Sequence, residues 1–496
     1  MRFRASNSYD FYRPSKCERR VALRYREVPE AERSEFEELL FRLGERHEKA
    51  HLGTFPEVVD LSAGDDEARE RDTLAAIRAG APTIYQARFR APIDLDGEVC
   101  ELVGEPDFLI RDGGGYRIRD SKLARRIDDD HHPEIALQLQ LYGWLYERVV
   151  GAPPAGLEVH AGSGEIVPVP QDGGEAALGF LRKLRRMRLA AENAYEPVGW
   201  SKCGGCGYRD LCWKQAAAVN DMALLPAVSQ ARAIELRGHG IVSIRDVPAA
   251  IQNPDFRDLF YRGKRKPRLR DFAVRLLRSA EAHISGRDTA IAPPAIPNAP
   301  NFAVLDLEGL PPYFDELEKI YLWGIKVFGE KPSSHLFAQA DFGVDGDREG
   351  WDSFLQIASR LFAEYGDIPF VHWGSYERTK LQLYVDRYGD LDGIAARLLD
   401  RLVNLLDVVR DSVVFPLPSL SLKVIEKHVG FTRKLSETNG AWAICRYIEA
   451  TEISDPVGRA EIMARILAYN EEDLEATWAV MEWLRGKSGA GPGKGP

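Results

Sequence analysis

Hydrophobic and polar residues alternate along residues 86–94, and this period of two predicts the first of four short β-strands between residues 86 and 122. The first segment spans 86–94, and the other three are CELVG, PDFLIRD and GYRIRDSK, separated by glycine turns. The next segment, PEIALQLQLYGWLYERVV, repeats its apolar residues every three to four positions and starts with Pro133, which predicts a helix. The first half of the chain is therefore predicted to contain a group of strands followed by a helix.

The second half begins with a strand-like run, NFAVLDLEG, at residue 301, and YLWGIKVFG and SSHLFAQA continue as predicted strands. DIPFVHWGSYERTKLQLY passes from strand to helix, and YNEEDLEATWAV has helical spacing. Residues 289–300 are rich in Pro and Ala and poor in charge, which predicts a stiff linker. We predict an α/β multidomain chain: a domain at 1–218, a helical segment at 219–288, a linker at 289–300, a domain at 301–486 and a disordered tail at 487–496.

Composition indicates a globular chain, since its 496 residues are 45% hydrophobic and 29% charged. No apolar run reaches the roughly 20 residues that span a bilayer, and the N-terminus lacks the apolar segment of a secretion signal. Six cysteines in so long a chain do not indicate a disulfide framework, so we expect a reducing cytoplasm. A net charge of −10 argues against indiscriminate nucleic-acid binding, but it averages over local patches.

Two basic runs interrupt this acidic chain. One is FLRKLRRMRLA at 180–190, and the other is RGKRKPRLRDFAVRLLR at 262–278. A solvated helix face explains either run alone, but the presence of both favours contact with a phosphate backbone. The candidate contacts in the second run are Lys264, Arg265 and Lys266.

A tight turn, Gly238-His239-Gly240, joins two predicted short helices. It resembles a helix–hairpin–helix, whose turn amides bind a nucleic-acid phosphate. An ordinary helix pair fits the same sequence equally well. Gly238 and Gly240 are therefore either nucleic-acid contacts or simple turn residues.

Acidic residues, a lysine and two helix residues follow one another in a fixed order in the first domain. Asp107 lies in GEPDFLI, and Asp120 and Lys122 are two apart on the next strand, so they face one side. Gln138 and Tyr142 share a helix face at i, i+4. Paired carboxylates hold a divalent cation that activates water, and a lysine offsets charge on a phosphate. The order G-x-x-D, D-x-K, Q-x-x-x-Y resembles the RecB-like branch of the PD-(D/E)XK nuclease superfamily.

This resemblance implies a restriction-endonuclease-like fold that hydrolyses nucleic acid with Mg²⁺ or Mn²⁺. The implied metal ligands are His47, Asp107 and Asp120, and the implied catalytic residues are Lys122, Gln138 and Tyr142. The segment HEKAH, from His47 to His51, also fits the H-E-x-x-H pattern of zinc proteases. That remote alternative leaves the ordered acids and lysine without a role.

Four cysteines form a second candidate metal site. Cys203, Cys206 and Cys212 have the spacing C-x2-C-x5-C, and Cys17 lies far upstream. Four thiolates can bind either zinc or an iron–sulfur cluster. RecB-like nucleases with a metal-cluster staple, including the CRISPR-associated adaptation nucleases, place one cysteine before the nuclease core and three after it. The resemblance therefore implies a [4Fe–4S] cluster that joins the two ends of the domain, with Zn²⁺ as the alternative.

The C-terminal domain carries its own pattern of acids. Asp306 and Glu308 are two apart on a predicted strand, and Tyr469 and Asp473 are i, i+4 on the last helix. D-x-E followed by Y-x-x-x-D resembles the DnaQ-like exonucleases of the ribonuclease-H-like fold. In that family these acids bind two metal ions, and the tyrosine orients the attacking water.

The middle acid of this domain departs from the family pattern, in which an Asp follows an aromatic residue. GSYER offers Glu377 after Tyr376, and NLLDVV offers Asp407 as a second candidate. Both therefore remain candidate metal ligands.

Together these patterns predict a nuclease with a RecB-like site and a 3′–5′ exonuclease site. The expected substrate is DNA with single-stranded ends. No phosphate-binding loop of the G-x-x-x-x-G-K-[ST] type occurs in the sequence, so any helicase is expected to be a separate partner. The alternative is a non-catalytic DNA-binding or scaffold protein that retains both folds.

Overall fold

The computed structural model describes residues 1–128, 130–190, 194–256, 259–260, 268–312, 314, 317–390, 392–435 and 439–489. The chain folds as two compact units, one of Met1–Glu196 with Ser201–Asp210 and one of Pro197–Trp200 with Leu211–Pro496. Among the described helices, none combines the length and the apolar character needed to cross a membrane.

The first unit combines short strands with helices that lie before, between and after them. Its strands are β1 (Arg2–Arg4), β2 (Val59–Asp60), β3 (Thr83–Tyr85), β4 (Phe89–Leu95), β5 (Glu98–Gly104), β6 (Phe108–Asp112), β7 (Gly115–Ser121), β8 (Gly156–His160) and β9 (Ile166–Val169). Its helices are α1 (Ser8–Tyr12), α2 (Glu18–Tyr25), α3 (Glu35–Leu52), α4 (Asp66–Ala79), α5 (Pro133–Val150) and α6 (Glu175–Leu189).

The main sheet of this unit has the strand order β2-β3-β6-β7-β8-β9. β6 and β7 form an antiparallel hairpin, whereas β7 and β8 run parallel because α5 makes the crossover between them. Leu139 and Leu145 of α5 are fully buried in the same core as Ile118 of β7. This packing fixes α5 beside the hairpin.

A smaller sheet, in the order β1-β5-β4, completes the unit. Burial alternates strictly along β4, as its sequence pattern predicts. Asp96 and Gly97 join β4 to β5 with φ values of 59° and 83°, the left-handed pair that a two-residue hairpin turn requires. The predicted strands and the helix Pro133–Val150 are thus confirmed.

The second unit begins with helices α7 (Arg209–Ala218, which starts in the first unit), α8 (Gln230–Gly238), α9 (Val247–Gln252) and α10 (Arg268–Ser285). Leu236, Ile241 and Val247 are buried where α8 meets the following turn and α9. The predicted helical segment is present in the residues that the structure describes here.

A five-stranded sheet forms the rest of the second unit, in the order β13-β12-β11-β14-β15. Its strands are β11 (Asn301–Leu310), β12 (Lys319–Gly329), β13 (Leu336–Gln339), β14 (Phe370–His372) and β15 (Leu402–Asn404). β11 lies at the centre, antiparallel to β12 and parallel to β14. Both of its edges are paired, so its side chains are held firmly.

Helices cover both faces of this sheet. They are α11 (Gly343–Tyr365), α12 (Tyr376–Tyr388), α13 (Ile394–Asp400), α14 (Leu405–Ser412), α15 (Leu422–His428), α16 (Gly440–Glu452) and α17 (Pro456–Gly489). One core contains Trp323, Trp351 and Phe354, and a second contains Phe302 and Met481. Alternate residues of β11 and β12 enter each core, which is the arrangement of a sheet between two helical layers.

Residues 289–300 differ from the predicted linker. β10 (Thr289–Ala290) pairs with β16 (Val413–Val414), and Ile296 and Ala299 pack against the core of the second unit. The prolines keep the chain extended, and Ile296 and Ala299 attach it to the second unit. The predicted tail also starts too early, because α17 continues to Gly489; residues 490–496 lie outside the described range.

Two candidate active sites

The first candidate site lies where β6 and β7 pair. It contains the carboxylates of Asp107 and Asp120, and each accepts a hydrogen bond from the backbone of the opposite segment. Asp107 directly precedes β6, and Asp120 lies near the end of β7. The N–H of Asp107 donates to Asp120 Oδ1 (3.0 Å), and the N–H of Ser121 donates to Asp107 Oδ2 (2.8 Å). Burial alternates along β7, so Asp120 faces inward with 1% exposure. The hairpin register therefore places both carboxylates side by side.

Lys122 contacts this pair, with its Nζ 2.9 Å from Asp120 Oδ2. Burial opposes the charging of this lysine, but Asp120 and Asp107 raise its pKa well above the usual value. Burial and the charge of Asp120 likewise raise the pKa of Asp107 well above its usual value. The site holds more buried negative charge than one lysine offsets, and a divalent cation with oxygen ligands fits such a donor set.

Gln138 and Tyr142 share the face of α5 that approaches the carboxylates, as their spacing predicts. The Gln138 amide donates to Tyr142 Oη (2.6 Å), and the Tyr142 hydroxyl donates to the carbonyl of Glu105 (3.0 Å). Burial and the charge of Asp120 raise the pKa of Tyr142 well above its usual value. Since Glu105 is two residues before Asp107, these two side chains support the backbone that carries the first carboxylate.

His47 lies against the ring of His160. Its ring stacks on His160 with centroids 4.2 Å apart, and its Nε2 is 3.3 Å from the His160 carbonyl oxygen. His51 stacks on the same His160 ring at 3.9 Å. Within the described residues, His47, Asp107 and Asp120 do not form a group of ligand atoms within 4.8 Å. The ring of His47 is thus packed against His160, and its role as a metal ligand stays a prediction.

Glu48, the neighbour of His47, is the residue that sequence reasoning missed. Its Oε1 accepts from the Tyr85 hydroxyl (2.7 Å) and the Gln86 amide (2.8 Å), and the same amide nitrogen is 3.3 Å from Asp107 Oδ1. The charge of Glu48 also contributes to the raised pKa of Asp107. Glu48 lies one turn before the end of α3, in the HEKAH segment. From the sequence, Glu48 had a role only in the zinc-protease pattern. Here it faces Asp107.

The second candidate site is a group of three acids on β11 and α17. Each of these acids contributes one carboxylate oxygen, and the three oxygens lie within 4.8 Å of one another; the acids are Asp306, Glu308 and Asp473. Asp306 is half-buried, and Glu308 and Asp473 are buried. The two-residue spacing on β11 directs Asp306 and Glu308 to one face, and α17 brings Asp473 against that face.

Positive side chains only partly offset this acidic group. Lys423 Nζ donates to Asp473 Oδ1 (2.8 Å), and Arg433 also donates to Asp473. Burial, followed by the charges of neighbouring acids, raises the pKa values of Asp306 and Glu308 well above their usual range. Two crowded carboxylates with raised pKa values are a suitable donor set for divalent metal ions.

Tyr469 lies one turn before Asp473 and is buried. Burial and the charge of Glu308 raise the pKa of its hydroxyl far above the usual value, and its hydrogen bond to Asp473 adds to this effect. Lys423 Nζ lies 4.5 Å from the centre of its ring. The i, i+4 spacing therefore places both side chains at the acidic group.

The two candidates for the middle acid have contrasting environments. Glu377 is 4% exposed, its Oε2 is 3.1 Å from His372 Nδ1, and its charge helps to raise the pKa of Asp306. Asp407 is 58% exposed and bonds to Asn404 and Arg410. Neither belongs to the group of three within 4.8 Å, but Glu377 is the candidate that faces the site.

Three of the four cysteines are gathered in the first unit. Burial raises the pKa of Cys17 to about 11, and the charge of Cys206 adds to the effect. Burial also raises the pKa of Cys206, and the charge of Cys203 adds to this effect. The chain between 17 and 203 thus returns to its start, and the metal staple stays a prediction. Cys212 lies in helix Arg209–Ala218 and belongs to the second unit.

The Gly238-His239-Gly240 turn uses its amides internally. The N–H groups of His239 and Ile241 donate to the carbonyl of Leu236, and that of Gly240 donates to Arg237. The ordinary helix pair thus accounts for these amides without a bound phosphate. Lys264, Arg265 and Lys266 lie outside the described residues.

The domain families are decided by comparison with known sequences. Residues 10–213 match the PD-(D/E)XK nuclease superfamily, and residues 304–485 match the RNase_H superfamily. The chain joins a PD-(D/E)XK nuclease domain to an RNase H-like domain. The predicted fold class and the predicted resemblance to two nuclease families are confirmed.

Other comparisons add little to this assignment. No curated protein sequence matches the chain. The crystal structure of SSO0001 matches 35% of this chain and 95% of its own, with 14% sequence identity and a TM-score of 0.20. Both domains belong to nuclease superfamilies.

Replacing Glu377 should weaken metal binding to the RNase H-like domain, because its buried carboxylate adds negative charge beside Asp306. We expect Glu377→Ala to lower Mn²⁺ affinity at least about 10-fold by calorimetry. Asp407→Ala is the control and should leave affinity unchanged, since Asp407 is exposed and bonded elsewhere. The reverse ranking would identify Asp407 as the middle acid.

The sequence prediction of a four-cysteine metal centre is tested by replacing Cys17 or Cys206. We expect anaerobically purified protein to be brown with a broad visible absorption band, and either Cys→Ala variant to lose the band and stable folding. Cys445→Ala, in the other unit, should retain both. Colourless protein with stoichiometric zinc would contradict the iron–sulfur assignment, and protein without either metal would contradict a metal staple altogether.

Proposed function

We propose that this protein is a metal-dependent nuclease that cleaves DNA at two independent sites. The observation that carries the proposal is the presence, in each compact unit, of buried carboxylates whose charges are incompletely offset. Such groups are expensive to bury unless a cation completes them. Each carboxylate group belongs to a domain of a nuclease superfamily, so phosphodiester hydrolysis is the reaction that best explains both.

In the PD-(D/E)XK domain, Asp107 and Asp120 would hold the metal, with Glu48 beside them. A bound divalent ion activates water and offsets charge on the phosphate. Lys122 is placed to stabilise negative charge developing on a phosphate oxygen. Gln138 and Tyr142 hold the Glu105 backbone, and through it Asp107, in position.

In the RNase H-like domain, Asp306, Glu308 and Asp473 would hold metal ions, with Glu377 as the middle acid. The Tyr469 hydroxyl is placed to orient an attacking water, and Lys423 and Arg433 hold Asp473. The resemblance to DnaQ-like exonucleases supports digestion from 3′ ends with release of mononucleotides. We propose DNA with single-stranded ends as the substrate and a separate helicase as its source.

We further propose that Cys17, Cys203, Cys206 and Cys212 bind a [4Fe–4S] cluster that joins the ends of the first domain. Its role is structural, because closing so long a loop removes entropy from the unfolded chain. A cytoplasmic location agrees with cysteines that are not joined in disulfides.

A non-catalytic DNA-binding protein is the second candidate. The observation that favours it is the double engagement of Asp473 by Lys423 and Arg433, which neutralises that acid without a metal. Such a protein would bind DNA tightly and leave it uncut when Mg²⁺ or Mn²⁺ is added.

The two sites should be separable by mutation. Lys122→Ala should reduce the activity of the PD-(D/E)XK domain about 100- to 1,000-fold without unfolding it, because the charge it supplies acts on the phosphate. Asp306→Ala should abolish RNase H-like activity through loss of metal. Each variant should retain the products of the other site on end-labelled single- and double-stranded DNA and RNA.

Two results would contradict the two-site proposal. If each single variant loses all digestion of every substrate, the sites are not independent. If the double variant digests at the wild-type rate, neither group of residues is catalytic.

Glu48 should contribute to the first site as a carboxylate. Glu48→Gln is expected to raise the Mg²⁺ concentration needed for half-maximal activity of that site by about 10-fold or more, since it removes charge facing Asp107. The matched control is Glu45→Gln, an exposed position on the same helix. Unchanged Mg²⁺ dependence, or chelator-sensitive cleavage of casein by the wild type, would overturn this role.

A further inference from the structure

Gly324 stands in the middle of β12, a strand paired on both sides, where glycine is normally unfavourable. Its partner in the register with β11 is Asp306. A Cβ atom at position 324 would lie 1.7 Å from Asn470 Oδ1, a distance that no pair of unbonded atoms tolerates. The missing side chain therefore makes room for Asn470 of α17.

Asn470 uses this room to reach Asp306. Its side chain is fully buried, and its Nδ2 donates to Asp306 Oδ2 (2.7 Å). On the other side, His335 Nε2 lies 3.0 Å from Asn470 Oδ1. An amide with a donor on one side and an acceptor on the other has only one orientation that satisfies both. In the tautomer that carries its proton on Nε2, His335 donates to Asn470 Oδ1 and leaves the NH₂ group of Asn470 facing the carboxylate.

We propose that Asn470, seated against Gly324 and oriented by His335, is a positioning residue that holds Asp306 for metal binding in the RNase H-like site. This inference rests on the proposed metal-dependent function of that site. By holding Oδ2, the amide fixes the rotation of the Asp306 carboxylate relative to Glu308 and Asp473. Hydrogen bonds to a ligating carboxylate commonly set metal affinity in this way.

The choice of an amide has a chemical reason. Lys423 and Arg433 already bring positive charge to Asp473, and a further cation on Asp306 would compete with the metal. A carboxylate at position 470 would instead repel Asp306. A neutral amide provides the hydrogen bond without changing the net charge of the ligand group.

The test is Mn²⁺ binding measured by calorimetry on the full chain, with Asp120→Asn present throughout to weaken binding at the first site. Asn470→Ala should lower affinity about 10- to 100-fold because Asp306 is no longer held. Gly324→Ala should lower it to a similar extent because the new methyl group displaces Asn470.

The double variant Gly324→Ala/Asn470→Ala distinguishes positioning from general damage. If the methyl group acts only by displacing Asn470, the double variant should bind Mn²⁺ as Asn470→Ala does, with no added loss. It should also fold at least as well as Gly324→Ala, since the alanine at 470 relieves the overlap. Losses that add in the double variant would overturn the inference.

Asp306→Ala separates this inference from the function on which it rests. If that variant binds Mn²⁺ as tightly as the parent, the metal site itself is wrong. If Asp306→Ala loses binding while Asn470→Ala retains it, only the positioning role is wrong. Should Gly324→Ala fail to fold alone, Asn470→Ala, which removes atoms rather than adding them, still decides the question.

Discussion

Repulsion between buried carboxylates is the constraint around which both domains are organised. Asp107 and Asp120 in one unit, and Asp306 and Glu308 in the other, lie where partial or full burial disfavours their charges and where those charges oppose one another. A sheet fixes each pair through strand register, so the side chains cannot separate without breaking the core. The folds therefore maintain an arrangement whose repulsion a bound cation would relieve.

The two domains reduce this repulsion by different means. In the PD-(D/E)XK domain, the backbone N–H groups of Asp107 and Ser121 donate to the carboxylates, and Lys122 adds one charge. In the RNase H-like domain, side chains from separate helices and loops donate hydrogen bonds to the carboxylates. Lys423 and Arg433 donate to Asp473, and the amide of Asn470 donates to Asp306. One solution is local in sequence, whereas the other depends on tertiary packing.

This contrast explains how much the sequence could predict. Spacing of two on a strand and of four on a helix determines which way side chains point, so Asp120 with Lys122, and Tyr469 with Asp473, were recognisable from local pattern. Glu48 and Asn470 were not, because their importance depends on partners that are distant in sequence. His47 was assigned by family resemblance alone, and its role as a metal ligand stays a prediction. The prediction of a free linker at 289–300 was wrong for a related reason. Its composition indicates an extended chain, but Ile296 and Ala299 pack against a core whose other residues are distant in sequence.

The most direct test of this account is a crystal structure with Mn²⁺, using anomalous scattering to locate the metal. The account predicts Mn²⁺ bound by Asp107 and Asp120 in one domain, and by Asp306, Glu308 and Asp473 in the other. Crystals that contain Mn²⁺ at neither group, with Lys122, Lys423 and Arg433 still paired to the acids, would contradict it.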